Sequence, residues 1–299
     1  MRFAFDSEQL EFRDAARNLL EKECPASAVR TAWENDTGRV PGLWDKLVDL
    51  GLLSTDATEI DTVMVLEETG RACVPEPVVE AWATGMAGAT LALDLTPYAL
   101  YADSCSGIVM QDGDELVQGR RLEQRESIDK SRRLFAVERA GGSFARRDLD
   151  VVRNRAALAA AAQLVGLAQH MLDTSVPYVA QREQFGKPVG SFQAVKHHLA
   201  DAALRLEFAR PCVHRAAWVM ANDPDEITVA VSLAKAQASD AALLAARKAL
   251  QVHGAIGYTV EYDLHMWMKR AWALAAAWGD AAWHRHRVKN TVLKGSTNA

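Results

Sequence analysis

The chain has 299 residues, 49% of them hydrophobic, and a formal net charge of −5 with acidic and basic residues interspersed. That apolar content is enough for a substantial core, and the mildly acidic balance without a basic stripe leaves no electrostatic footprint for nucleic acid. Cys24, Cys73, Cys105 and Cys212 are widely separated and form no C-x-x-C pair, so free thiols in a reducing, cytoplasmic compartment are expected. The first residues carry no apolar h-region or small-residue cleavage site, and the alanine-rich stretches are broken by Arg, Lys, Gln or Asp before the roughly 20 apolar residues of a membrane span. A soluble chain is expected.

Asp6 and Gln9 have capping-box spacing ahead of a stripe of Leu10, Ala15, Leu19 and Leu20, which predicts a helix opening near Ser7 and ending near Pro25. Leu43, Leu47, Leu50 and Leu53 repeat at helical spacing, cut short by Gly51. Ile60 to Arg71 places Val63, Met64 and Leu66 on one face and Glu67 and Glu68 on the other, and stops before Pro75-Glu76-Pro77. Residues 1–95 therefore read as a helical domain.

From Pro97 short apolar runs alternate with turn residues. Ala99 to Ala102, Gly107 to Met110, Leu116 to Gln118 and Leu134 to Glu138 are candidate strands, and Asp112-Gly113 and Gly141-Gly142 suit tight turns. Residues 96–148 form a small β insert. Residues 149–299 read as a four-helix bundle with helices near 151–181, 191–221, 225–252 and 262–294; Asp223-Pro224-Asp225 opens the third and Pro211 kinks the second. The fold class is mainly α with a small β insert.

Between the first two bundle helices stands Arg182-Glu183-Gln184-Phe185-Gly186, with Gln193 completing the segment. Between the last two stands Gln251-Val252-His253-Gly254-Ala255-Ile256-Gly257-Tyr258. Arg182 offers a planar fork of donors suited to a pyrophosphate, and Phe185 an apolar plate for a flavin or adenine face. Gly186, Gly254, Ala255 and Gly257 have little or no side chain to obstruct a phosphate-ribose chain, and Gln193 and Gln251 are neutral hydrogen-bonding groups for it. Taken singly, each segment reads better as a helix C-cap and turn with an Arg set against the dipole, and only the joint spacing of the two reverses that.

Together the two segments resemble the paired C-terminal motifs of acyl-CoA dehydrogenases, R-x-x-F-G-x-x-x-x-x-x-Q and Q-x-x-G-G-x-G-[FY]. The resemblance is good over 150–290, moderate in the N-terminal domain and poor in the middle. It implies an acyl-CoA dehydrogenase-like fold with a reduced β-domain, FAD as cofactor, and an oligomer, because these motif positions reach across a subunit interface to a neighbour's FAD. Arg182, Phe185, Gln193, Gln251, Gly254 and Ala255 are the implied contacts.

The family's reaction needs a carboxylate to take the α-proton of the thioester. In most members a Glu stands about twenty residues beyond the second motif; that count reaches Trp278, whose indole nitrogen only donates. Other members carry the Glu about ten residues before a Gly-Leu pair, here Gly166-Leu167, and that count reaches Ala156. Asp280, two residues past the first seat, is a weak substitute, since a two-residue offset points to another helix face. The losses resemble the degenerate subunit of heteromeric acyl-CoA dehydrogenases of steroid and other bulky thioesters. They imply a full-length partner chain in an α2β2 assembly, an acyl-CoA substrate, and an acceptor such as an electron-transfer flavoprotein. Two alternatives stay open, a homomeric flavoenzyme using Asp280 and a non-enzymatic helical interaction subunit.

Other groups carry less. His284 and His286, and His197 and His198, lack the spacing that chelates from one helix face, so no metal is expected. His253 reads mainly as packing, and Trp267, Trp272, Trp278 and Trp283 as burial.

Overall fold

Asp6 caps the first helix as its spacing predicts: its carboxylate accepts from the Gln9 N–H at 2.9 Å, and the Gln9 amide oxygen accepts from the Asp6 N–H at 3.0 Å. In the computed structural model, which describes residues 4–143 and 148–295, this helix is α1 (Ser7–Glu23). After it come α2 (Ala26–Glu34), α3 (Leu43–Asp49), α4 (Glu59–Arg71) and α5 (Val78–Thr84). Two of these, α2 and α5, lie outside the sequence expectation. α2 has only nine residues, too few for buried Val29 and Ala32 to stand out as a repeat, and α5, buried along its whole length, shows no one-sided stripe.

α4 is the central helix of this region and meets protein on both sides. Glu68 is 6% exposed and accepts from Arg17 of α1 at 2.6 Å, while Glu67 pairs with Arg210 at 3.5 Å. The face that carries the two carboxylates is thus covered too: each is matched by an arginine from a neighbouring helix. Within α1, Ala16 rather than Ala15 is buried.

The chain then forms β1 (Ala89–Ala92), β2 (Ala99–Leu100), β3 (Gly107–Asp112), β4 (Glu115–Arg125) and β5 (Leu134–Ser143), one sheet in the order β1-β3-β4-β5-β2. β1 runs parallel to β3 and the other pairs are antiparallel. β1 lies ahead of the region read as strands, because all four of its residues are buried and it shows no alternation. Gly113, at φ 60°, makes the tight turn between β3 and β4. Gly141 and Gly142 lie within β5 and not in a turn; a Cβ at Gly141 would stand 2.9 Å from the Gln118 amide oxygen.

The bundle consists of α6 (Leu149–Gln181), α7 (Gln193–Asn222), α8 (Ile227–His253), α9 (Leu264–Ala276) and α10 (Ala281–Gly295). The fourth expected helix is thus two. Trp278 and Gly279 take φ 60° and 89° and break it. Pro177 and Pro211 sit inside continuous helices. The stretch 224–258 is long and apolar enough to cross a membrane by length and composition, contrary to the sequence expectation, yet α8 here is a core helix with 14 buried residues.

α4 and α6 cross in backbone contact. A Cβ on Gly166 would lie 1.9 Å from the Glu67 carbonyl oxygen, and one on Gly70 2.1 Å from that of Gln163, so only glycine fits either position. Beside this crossing Arg270 of α9 ties three regions together. It pairs with Asp129, donates to the Ser131 hydroxyl at 2.8 Å, and donates to the Val74 carbonyl at 2.8 Å. Asp129 is 0% and Arg270 5% exposed, so neither charge has water to fall back on. Arg270→Met is expected to lower the unfolding free energy by about 3–5 kcal/mol, because it strands the Asp129 carboxylate. The urea midpoint measures this, and a loss under about 1 kcal/mol would show that the anchor is not needed.

Candidate cofactor-contact site

After α6 the chain makes a minimal hairpin, β6 (Glu183–Gln184) and β7 (Lys187–Pro188), closed by a hydrogen bond from the Val189 N–H to the Arg182 carbonyl at 2.7 Å. Its two turn residues, Phe185 and Gly186, have φ 55° and 77°, the positive pair that a tight two-residue hairpin requires. Gly186 takes this conformation without strain, whereas Phe185 is held there at a cost of order 1–3 kcal/mol. Its ring is 92% exposed and meets Phe192 edge-on at 6.1 Å between centroids. Among the described residues, no ion pair or hydrogen bond engages the exposed Arg182 guanidinium.

The second loop leaves α8 at Gly254, with φ 65° and ψ −141°, a combination open to glycine almost alone. A 3-10 turn, Gly254–Tyr258, follows. Gln251, Gly254 and Ala255 are exposed, and so is Tyr258 at 78%. Gly257 differs from its sequence reading: it is buried, and a Cβ there would stand 3.1 Å from both His253 and Leu250, so it serves the packing of the turn.

The two loops meet at one end of the bundle. Tyr178, on the last turn of α6, stacks on His253, the last residue of α8, with centroids 4.2 Å apart. At the start of α7, His198 hydrogen-bonds Lys248 at 2.9 Å, which sets exposed Gln193 and Gln251 at the same end. Arg182, Phe185, Gln193, Gln251, Gly254 and Ala255 are therefore all exposed at the same end of the bundle. His253 itself is 4% exposed and packs as expected, and burial lowers its pKa. Sequence reading passed over Tyr178, whose only signal is an aromatic residue four positions before Arg182.

The two base positions counted from the sequence lie in the interior. Ala156 is 0% exposed on α6. Trp278 is 1% exposed; its N–H donates to the Thr96 hydroxyl at 2.7 Å, and its indole N–H is buried without an acceptor among the described residues. Asp280 is exposed and caps α10, accepting from the Trp283 N–H at 2.8 Å. A carboxylate committed to a surface cap is poorly placed to take a proton.

The break that holds Trp278 has its own support, also absent from the sequence reading. Lys235 of α8, 0% exposed, donates to the Ser239 hydroxyl at 3.2 Å and to the carbonyls of Ala275 at 3.3 Å and Gly279 at 2.9 Å. Burial pushes its amine down to about 7, while these oxygens and the nearby Asp280 favour the charged form. His284, 0% exposed, hydrogen-bonds the Trp278 carbonyl at 2.9 Å, and burial next to Lys235 lowers it to about 3. Among the described residues no group of three or more His, Cys, Asp or Glu could hold a metal ion.

Residues 6–96 match the acyl-CoA dehydrogenase N-terminal domain and residues 149–293 the acyl-CoA dehydrogenase C-terminal domain. The chain belongs to the acyl-CoA dehydrogenase family, FAD-dependent oxidoreductases of acyl-CoA thioesters. It is 30% identical to acyl-CoA dehydrogenase IpdE2 of Mycolicibacterium smegmatis over 318 aligned residues, covering 96% of this chain and 100% of that one. Among solved structures, the ChsE4-ChsE5 complex from Mycobacterium tuberculosis matches with a TM-score of 0.82 at 20% identity, over 98% of this chain and 99% of the other. Butyryl-CoA dehydrogenase from Megasphaera elsdenii matches with a TM-score of 0.79 at 18% identity, over 98% and 100%.

The buried neutral His284 makes folding pH-dependent. Its folded pKa, about 3, lies below the ordinary 6.5. Below pH 6.5 the unfolded chain therefore binds a proton that the folded chain refuses, and stability falls as pH drops from about 6.5 towards 3. His284→Gln, which keeps a donor for the Trp278 carbonyl but does not titrate, is expected to flatten the fall in thermal midpoint across that window. An unchanged slope would mean that His284 is not the group responsible.

Proposed function

We propose that this chain is the non-catalytic subunit of a heteromeric FAD-dependent acyl-CoA dehydrogenase. In this reading it lends Arg182, Phe185, Gln193, Gln251, Gly254 and Ala255 to the FAD of a full-length partner chain, in an α2β2 assembly in the cytoplasm. The observation that carries it is a contrast within one molecule. A phenylalanine on strained backbone stands almost fully in water three residues from an exposed arginine with no ion pair or side-chain hydrogen bond among the described residues, while Ala156 and Trp278 occupy both counted base positions.

The residues fit a dinucleotide. An exposed guanidinium suits a diphosphate, an exposed aromatic plate suits a ring face, and Gly254 carries backbone past the ligand without a side chain. They lie on an open face, as half of a site that another surface completes. FAD, when bound, supplies the hydride acceptor for α,β-dehydrogenation of an acyl-CoA thioester. The partner contributes the carboxylate that takes the α-proton, and an electron-transfer flavoprotein is the acceptor class that follows. Bulky, steroid-like thioesters are the favoured substrates, a class that rests on the family resemblance, and the ChsE4-ChsE5 neighbour, itself a complex, accords with a partnered chain. A homomeric enzyme using Asp280 draws no support from a side chain that caps α10.

Production of the chain alone and together with a full-length acyl-CoA dehydrogenase chain tests this. Flavin is expected only in the co-produced complex, and Arg182→Ala is expected to weaken its retention by about tenfold or more, the loss of a charge-assisted contact. A yellow chain that by itself reduces a dye with an acyl-CoA would rule out the partner role. Loss of FAD affinity by both chains would favour the non-enzymatic interaction subunit.

A further inference from the structure

Three rings from three segments meet behind the cofactor-contact face. Tyr178 stacks on His253 at 4.2 Å and 22°, and its hydroxyl donates to the His253 carbonyl at 3.3 Å. The Nδ1 of His253 lies 2.8 Å from the Ala249 carbonyl, which accepts only, so Nδ1 carries the proton and Nε2 accepts from the Tyr262 hydroxyl at 3.2 Å. Tyr262, before α9, also approaches Tyr178, with centroids 6.0 Å apart.

Each ring is chained closely to a contact residue. The Tyr178 carbonyl accepts from the Arg182 N–H at 2.9 Å, so one hydrogen-bonded turn separates the stack from the hairpin. His253 immediately precedes Gly254, and the carbonyl that Tyr178 holds belongs to the peptide joining the two residues. Tyr262 ties down the chain leaving the 3-10 turn. Contact residues on two separate loops act on one ligand only if they are held to about half an ångström, and two surface turns do not supply that on their own.

We infer that Tyr178, His253 and Tyr262 form an aromatic clamp that sets the spacing between the two loops, making Tyr178 and His253 positioning residues for the dinucleotide. This rests on the proposed function, since it presumes that both loops touch FAD. The clamp acts through main chain: it orients the His253–Gly254 peptide and the last turn before Arg182, and makes no contact with the ligand itself.

The test uses the co-produced complex and measures FAD affinity by flavin fluorescence released on dilution, alongside the thermal midpoint of the FAD-free complex. Tyr178→Phe keeps the stack and loses the hydroxyl; Tyr178→Leu loses both. The Phe variant is expected to bind FAD severalfold more weakly and the Leu variant about tenfold or more, with the FAD-free midpoint close to that of the unmodified complex. If Arg182→Ala weakens FAD while both Tyr178 variants bind normally, the clamp is overturned and the proposed function stands. If Arg182→Ala changes nothing, the contact assignment fails and the clamp with it. A fall in FAD-free midpoint that accounts for the whole loss of affinity overturns the clamp in favour of simple packing. Should the Leu variant not assemble, the isosteric Phe variant decides by itself.

Discussion

The bonds made by Arg270 of α9 reach two other parts of the chain: Val74 in the helical N-terminal region, and Asp129 and Ser131 in the connection between β4 and β5. A guanidinium and a carboxylate shut away from water are tolerable only when each answers the other and the spare donors find oxygens. The three regions cannot separate without stranding a charge. That requirement fixes α9 against the sheet and the N-terminal helices, and with α9 it fixes what lies at either end: Tyr262 before it, and the break at Trp278 after it.

The break shows how a helix can be interrupted without a proline. Two consecutive residues in the left-handed region leave carbonyls at the end of α9 without helical partners, and the buried amine of Lys235 reaches two carbonyls of this stretch, Ala275 and Gly279. His284 takes the carbonyl between them, and Thr96 takes the Trp278 N–H. Four segments thus cooperate to hold an indole at a position counted as a proton acceptor's. Their side chains are all buried, and this part of the chain is closed.

The opposite end of the bundle is open. There Phe185 is held on strained backbone and Arg182 is exposed, while behind both a packed trio of aromatic rings keeps the two loops in register. A closed interior at the counted base positions and an exposed, braced face at the motif loops are consistent with a chain that works by completing another molecule's site.

Sequence alone determined what rests on neighbours in the chain. The Asp6 capping box, the Asp112-Gly113 turn, the starts of the long bundle helices and the two motif segments were legible because each is written in residues a few positions apart. Segments packed on all sides, α5 and β1, were not, since full burial erases the periodicity that distinguishes helix from strand. Tertiary structure alone decided that Glu68 is buried against Arg17, that the last helix is broken, and that Tyr178 lies on His253. These depend on partners 51 residues away for Glu68 and Arg17, 75 for Tyr178 and His253, and 182 for Trp278 and Thr96, and a charge, a left-handed turn or a stacked ring is stable only once those partners have arrived.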